Sequence, residues 1–491
     1  MINSIVDASA RNKSIVLIVV LAACLWGAWC MVHAPLDAVP NLGQTQVIIL
    51  SKWDRSPDIM EDQVTYPIIT ALTGTPKVKT VRGISDFGYS FVYVLFEDGA
   101  DLEWARARSA EYLSIVRDKL PAGVQTELGP DATGLGWIFQ YALVDKSGKH
   151  NLAELRSLQD WYLRYHLKSV PGVAEVASVG GFTQQLQVNV DPARLRFYGL
   201  PISRVADAVR DSNVETGARV LESAGAEYMV RGRGYLKSVQ DIEDTVLAAQ
   251  QGSPVFVKDV ASVALGPEIR RGAADLNGTG ETVTGIIVMR EGGNAADVIR
   301  RVKSKLQEIQ AGLPEGVEVV PVYDRSELID RSVSSARWTV IEVILTVVLI
   351  TMIFLWHFPS AAIPIITIPV SILLTFIPLH FLGIGINIMT LAGIAIACGA
   401  LIDAGIVVVE QSHKKLETYS RSGIYFRQQD VILEAVKEVA GPTFFALLVI
   451  AVAFLPVLVL GGPEGKLFRP LAYAKSLAMV VAALLAITLD P

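Results

Sequence analysis

Six apolar runs decide what this chain folds into: residues 14–33, 338–356, 360–382, 389–411, 440–460 and 471–489. A membrane helix needs about 20 predominantly apolar residues, and each run is close to that length. The first run, which carries no acidic or basic residue before His33, is too long for the apolar core of a signal peptide. Its exit, Ala34-Pro35-Leu36-Asp37, lacks an A-x-A cleavage site, so it reads as a retained helix. Of the 491 residues, 51% are hydrophobic and 19% are charged, whereas soluble domains carry roughly a quarter charged residues. A soluble enzyme is therefore excluded. The net charge of −6 offers no basic footprint for nucleic acid.

Orientation follows from where the basic residues lie. Arg11 and Lys13 precede the first run, while His413, Lys414, Lys415, Arg421, Arg427 and Lys437 fill the segment between the fourth and fifth. The positive-inside rule places both on the cytoplasmic face. The polar stretch 34–335 then lies on the opposite side, which is the periplasm of a Gram-negative cell. Lys466 and Arg469 sit in a short outer loop and mildly oppose the rule. Cys24, Cys30 and Cys398 all fall in apolar runs, so the external domain has no disulfide and is held by its own core.

The external stretch contains a repeat. Residues 45–50, 78–84, 89–96 and 124–128 read as strands, and 56–72 and 102–120 as helices, in the order βαββαβ of the ferredoxin-like split motif. The pattern restarts with strands at 137–144, 173–179 and 184–190 and a helix at 152–167. After an insertion at about 200–270, a strand at 282–289, a helix at 295–310 and a strand at 317–323 close it. Pro76-Lys77-Val78-Lys79-Thr80-Val81 matches Pro171-Gly172-Val173-Ala174-Glu175-Val176 at Pro, Val and Val, which favours duplication. The expected fold is an α-helical membrane protein with an α/β external domain. The first membrane segment takes residues 1–33 and two ferredoxin-like subdomains take 34–135 and 136–335, the second carrying the insert. The remaining five helices take 336–491.

Several stretches resemble one transporter family. Gly129-Pro130-Asp131-Ala132-Thr133, Tyr141-Ala142-Leu143-Val144-Asp145, residues 155–161 (Leu-Arg-Ser-Leu-Gln-Asp-Trp), Val176-Ala177-Ser178-Val179-Gly180-Gly181 and Tyr323-Asp324-Arg325-Ser326 look like the heavy-metal efflux branch of the resistance–nodulation–division (RND) transporters. The likeness is strongest to its copper/silver-exporting, Cus-type members. It implies a proton-driven antiporter of the inner membrane that forms a homotrimer and joins a periplasmic membrane-fusion adaptor and an outer-membrane channel. The cargo would be Cu(I) or Ag(I), with no cofactor. Members of the family are built from two similar halves, so the resemblance also implies a second half beyond Pro491.

Asp403 is the strongest single residue. It is the only acid in the interior of the fourth run, flanked by Ala400, Leu401, Ile402, Ala404 and Gly405. At about 1.5 Å per residue it lies about 20 Å from the Met389 end, away from either headgroup layer. An intramembrane carboxylate is costly enough that a functional role is the default, although a structurally paired acid is the alternative. In the family this helix carries the proton-relay aspartate, and Asp403 matches it. Glu410 lies seven residues on, on roughly the same face and about 10 Å nearer the cytoplasm, as a second relay station or an interfacial residue. Glu342 and Lys475, near outer helix ends, are expected to snorkel.

Zinc- and cobalt-exporting relatives carry an aspartate where this chain has Ala397, and drug exporters carry two adjacent aspartates where it has Asp403-Ala404. Both absences favour the copper/silver branch. Soft thioethers select Cu(I), and Met389 and Met479 match methionine positions of that branch, though isolated methionines in membrane runs are more often plain packing. Leu401, Val408 and Ile269 stand where relatives have methionine. The relay partners and main methionine cluster belong, by resemblance, to the other half. Arg82, after a strand and beside the Gly83 turn, is a candidate to face the transport cleft, with a solvated surface residue the favoured alternative. His150 and His166 lack a partner at metal-ligand spacing, and no P-loop or zinc-type Cys/His spacing supports nucleotide-driven transport. The competing expectations are a non-pumping fragment and a drug or solvent exporter on the same fold.

Overall fold

The computed structural model describes residues 2–232, 234–250, 252–355, 358–421 and 427–491. Asp403 lies in a helix whose course is described, but its side chain lies outside the described residues, as does Trp356 at the end of the second apolar run.

The α/β region is built on two antiparallel sheets of the same order. In the first, β1 (Gln46–Lys52), β2 (Val78–Asp86), β3 (Tyr89–Phe96) and β4 (Gln125–Leu128) are ordered β2-β3-β1-β4. Val47, Ile49, Val92 and Val94 alternate onto one face, where they pack against Met60, Val64, Ile68 and Leu72 of the preceding helix and Leu113 and Val116 of Leu102–Arg117. The second sheet uses β5 (Trp137–Asp145) and β6 (Val173–Gly180) and, across the insert, two later strands.

The strand β7 (Gln184–Val190) departs from the expected course. Gly180 and Gly181 both adopt positive φ, 79° and 60°, and a Cβ on Gly180 would lie 2.2 Å from the Thr282 carbonyl oxygen. That turn, open only to glycine, carries β7 out of the sheet. The chain then forms the hairpin β8 (Thr216–Ser223) and β9 (Ala226–Gly232), the hairpin β10 (Val246–Gln250) and β11 (Ser253–Phe256), and β12 (Ala261–Pro267), which pairs back onto β7. Leu195, Val205, Leu247, Val257, Val260 and Val263 give this insert its own small core. The short β13 (Ala274–Asp275) leads into β14 (Glu281–Met289), which takes the place beside β6 that the sequence assigns to β7. With β15 (Val317–Asp324) the main path is β6-β14-β5-β15, matching the first sheet strand for strand.

Two further features repeat. Both opening helices pass through a π-helical turn, Glu61–Thr65 in one and Gln159–Leu163 in the other. Both second strands follow a Pro-x step in the left-handed region, at Lys77 (φ 60°) and Gly172 (φ 94°). In the second unit Tyr141 on β5 lies over Gly285 on β14 and donates to Gln159 Oε1 at 2.8 Å. Burial lifts the Tyr141 hydroxyl far above its ordinary value.

Among the described residues, four helices are long and apolar enough to cross a membrane: Lys13–His33, Ile388–Arg421, Gln428–Val459 and Gly462–Thr488. Arg325–Leu355 and Phe358–Phe381 cover the second and third apolar runs. An amphipathic helix, Ile2–Arg11, packs Val6 against Val408, Val436, Ala440 and Ile487. An ion pair between Asp7 and Lys437 at 2.5 Å brings the chain start to the same end of the bundle as the basic segment. The Ile388–Arg421 helix runs on through that segment, and its Lys415 pairs with Glu434 and Glu438.

Candidate functional site

The 34-residue helix Ile388–Arg421 is the axis of the site. Its start is fixed by Asn387, whose Oδ1 accepts from the Met389 and Thr390 amides at 2.9 and 3.0 Å, while the Thr390 hydroxyl accepts from the Asn387 amide. These bonds satisfy donors that the first turn of a helix leaves free. Small residues then let Gly462–Thr488 come close: a Cβ on Gly393 would lie 2.6 Å from the Leu471 carbonyl. Ala397, Leu401, Ala478, Met479, Ala482, Ala483 and Ala486 form one packed cluster at this contact. Close approach of backbones through small side chains is the usual packing device of membrane helices.

This geometry sorts the sequence candidates. Asp403 lies two residues beyond Leu401 on the same helix. Met479 is fully buried within it. Met389 is partly exposed at the helix start, roughly 12 Å or more along the axis from Ala397, so the two thioethers do not form one site. Glu410 and Glu342 are exposed, as is Arg82. Lys475 differs from expectation: it is 9% exposed, with Nζ 3.4 Å from the centroid of the Phe454 ring and no ion pair among the described residues. It sits one turn from Met479, so the side chain is held by the neighbouring helix instead of reaching outward. No group of three or more His, Cys, Asp or Glu with metal-ligand geometry occurs among the described residues.

Above the helix start, a cavity of about 590 Å³ opens between the α/β region and the membrane helices, with Asn41, Met289, Glu291, Asn387, Lys466 and Tyr473 in its wall. Lys466 donates to the Gly43 carbonyl at 2.6 Å and pairs with Asp98 at 3.5 Å. Burial raises the Glu291 carboxyl above its ordinary value, against the pull of Lys466. On the same wall Arg325, 5% exposed, places Nε 3.0 Å from Asp37 Oδ1 and donates from Nη1 to the Leu135 carbonyl at 2.6 Å. Burial lifts the Asp37 carboxyl, opposed by the guanidinium and by the Ala38 and Val39 amides. Sequence reasoning missed this pair. Its signal was a charged residue directly before a membrane-entering helix and another directly after one.

A bundle of helices long and apolar enough to cross a membrane, joined to paired α/β units of one strand order, is the plan of a membrane transporter. The chain belongs to the AcrB/AcrD/AcrF family of RND transporters, whose model matches residues 5–491. It is 49% identical over 498 residues to the cation efflux system protein CusA of Escherichia coli (strain K12), covering 100% of this chain and 48% of that protein. To the putative cation efflux system protein SilA of Salmonella typhimurium it is 48% identical, with the same coverage. The cobalt-zinc-cadmium resistance protein CzcA of Cupriavidus metallidurans (strain ATCC 43123 / DSM 2839 / NBRC 102507 / CH34) is more distant, at 33% identity over 100% of this chain and 47% of that protein. A crystal structure of a heavy metal efflux pump (crystal form II) matches 99% of this chain and 48% of that one, with a TM-score of 0.88 and 32% identity. The chain thus spans about half the length of the relatives it matches.

Proposed function

We propose that this chain is the N-terminal half of the inner-membrane component of a proton-driven heavy-metal exporter. The observation that carries the reading is near-half identity along the whole chain to cation efflux proteins, combined with Asp403 on a close-packed helix. In this reading Asp403 takes up a proton from the outer side and releases it inward, with Glu410 as a second station. Desolvation of a carboxyl in the membrane interior supports a group poised to change protonation. The cargo is Cu(I) or Ag(I), and Met389 and Met479 are separate thioether contacts along its route, each completed by ligands from outside this chain. Six helices span the membrane, and two ferredoxin-like subdomains at 34–135 and 136–335 face the periplasm. The insert expected at about 200–270 is rooted on β7 and β12 and docks in the assembly, a homotrimer with a periplasmic adaptor and an outer-membrane channel.

A second reading, a fragment that does not pump, also fits the half-length match. One experiment covers both. In the full-length pump carrying this half, Asp403→Asn abolishes metal tolerance at unchanged membrane insertion, because the amide cannot cycle a proton. Full tolerance from that variant removes Asp403 from the mechanism. Expressed alone in a copper- and silver-sensitive strain, residues 1–491 give no tolerance; tolerance restored by the short chain refutes the need for a second half.

A further inference from the structure

The cavity wall holds a joint between the membrane bundle and the α/β region that the relay reading leaves unused. The segment after the first membrane helix runs alongside the residues that lead into Ile388–Arg421. Leu36 bridges Ile386 in parallel, the Ile386 amide donates to the Pro35 carbonyl at 2.8 Å, the Asp37 amide to the Ile386 carbonyl at 3.1 Å, and the Ile388 amide to the Ala38 carbonyl at 3.2 Å. Leu36 packs against both the second α/β core and the membrane core, and Ala38 belongs to the former. Residues 35–38 are therefore a strap stitched to the root of the helix that carries Asp403.

The other side of the strap is held by Arg325. This residue opens the 31-residue helix Arg325–Leu355 directly after β15. That corner is itself pinned: Asp324 Oδ1 accepts from the Ser326 amide at 2.9 Å, Asp324 pairs with Lys303 of Ala295–Ile309, and Ile329 is buried in the α/β core. Arg325 thus joins three pieces, namely the strap through Asp37, the approach to β5 through Leu135, and β15 through its own backbone. Both strands lie in the sheet β6-β14-β5-β15.

We propose that Asp37 and Arg325 are positioning residues that couple the helix of Asp403 to the second α/β sheet, so that an axial shift of that helix is delivered to β5 and β15. The helix from Ile388 is continuous and free of proline, and Asp403 lies roughly 22 Å from its start at about 1.5 Å per residue. A hydrogen-bonded rod of that kind carries a displacement to its root without absorbing it. There the strap has one charged tether, and Arg325 has no second carboxylate partner among the described residues. Loss of either charge leaves the strap stitched to the helix but loosened from the sheet. The inference rests on the transport reading above and adds the place where motion leaves the membrane.

The test uses the full-length pump carrying this half, reconstituted in vesicles, with proton influx and Ag(I) movement recorded together. Asp37→Asn and Arg325→Gln lower the metal moved per proton by about tenfold, within the range of coupling between distant sites, while proton influx stays near the unaltered level. A purely structural role lowers both fluxes in parallel and overturns the proposal, as does an unchanged ratio. The exchanged pair Asp37→Arg with Arg325→Asp covers a variant that folds poorly, because it rebuilds the strap-to-sheet ion pair with its charges reversed. It restores the ratio; a ratio as low as in the single variants also overturns the proposal. If the unaltered pump moves no Ag(I) against a proton gradient, the transport reading fails and the joint falls with it.

Discussion

Replacing Met479 separates two roles that its position allows. The side chain is fully buried against Ala397, Leu401, Ala478 and Ala482, so truncation leaves a cavity that small neighbours cannot close. Met479→Ala is expected to destabilise the bundle by about 2–5 kcal/mol, the range for deleting a buried methionine side chain. Met479→Leu keeps nearly the same volume and hydrophobicity and costs less than about 1.5 kcal/mol, yet it removes the sulfur. Thermal unfolding in detergent reads the packing cost, and copper and silver tolerance of the full-length pump reads transport. If the thioether contacts the cargo, Met479→Leu melts close to the unaltered protein but loses tolerance, whereas Met479→Ala loses both. Full tolerance from Met479→Leu makes Met479 a core residue only and removes it from the metal route.

Two further predictions concern the α/β region. Gly285→Ala puts a Cβ 2.2 Å from the Tyr141 ring, and overpacking of this kind costs about 1–3 kcal/mol; an unchanged melting temperature and protease resistance would show that Tyr141 repacks freely. Acid stability follows from two carboxyls. Burial lifts Asp324, but hydrogen bonds from Lys303 and Ser326 outweigh it and hold the group below its ordinary value. Glu175 is likewise lifted by burial and held low by Lys168, the Val176 amide and Arg164. With folded-state values depressed, the unfolded chain takes up protons first. Both groups therefore stabilise the fold above the ordinary carboxylate range near pH 4, and that support is lost as pH falls through the folded values. Asp324→Asn and Glu175→Gln are expected to flatten the acid limb of the unfolding curve below about pH 4; an unaltered limb refutes the assignment.

Four of the apolar runs were legible as helices of membrane length because their signal is local: a continuous apolar run has one way to satisfy its backbone in lipid. The alternating strands were legible for a similar reason, and the Pro-x-Val match fell on the equivalent strands β2 and β6. Where β7 goes was not. Residues 184–190 have the periodicity of a strand, and periodicity does not name a partner. The glycine turn at 180–181 and the stronger apolar run of β14, lying beyond the insert, decided the pairing. Lys475 was misread for a related reason. Its sequence position suggested an outward reach, whereas the Phe454 ring that holds it comes from another helix.

The candidate site divides in the same way. Asp403 stands out in the sequence because a lone acid in an apolar run violates the solvation rule that governs every neighbour. Met389 and Met479 stand out only through resemblance, and packing set them apart along the helix axis. Arg325 and Asp37 look unremarkable in the chain, two charged residues beside membrane runs. Only tertiary structure brings a residue after the first run against one before the second, and burial then turns a surface charge into a tether. What the sequence determined alone was which segments are apolar enough for lipid and which are not, since transfer free energy is a property of the segment itself. Which strands pair, which charges meet and where the two regions join depend on contacts between distant residues, so the tertiary structure decided them.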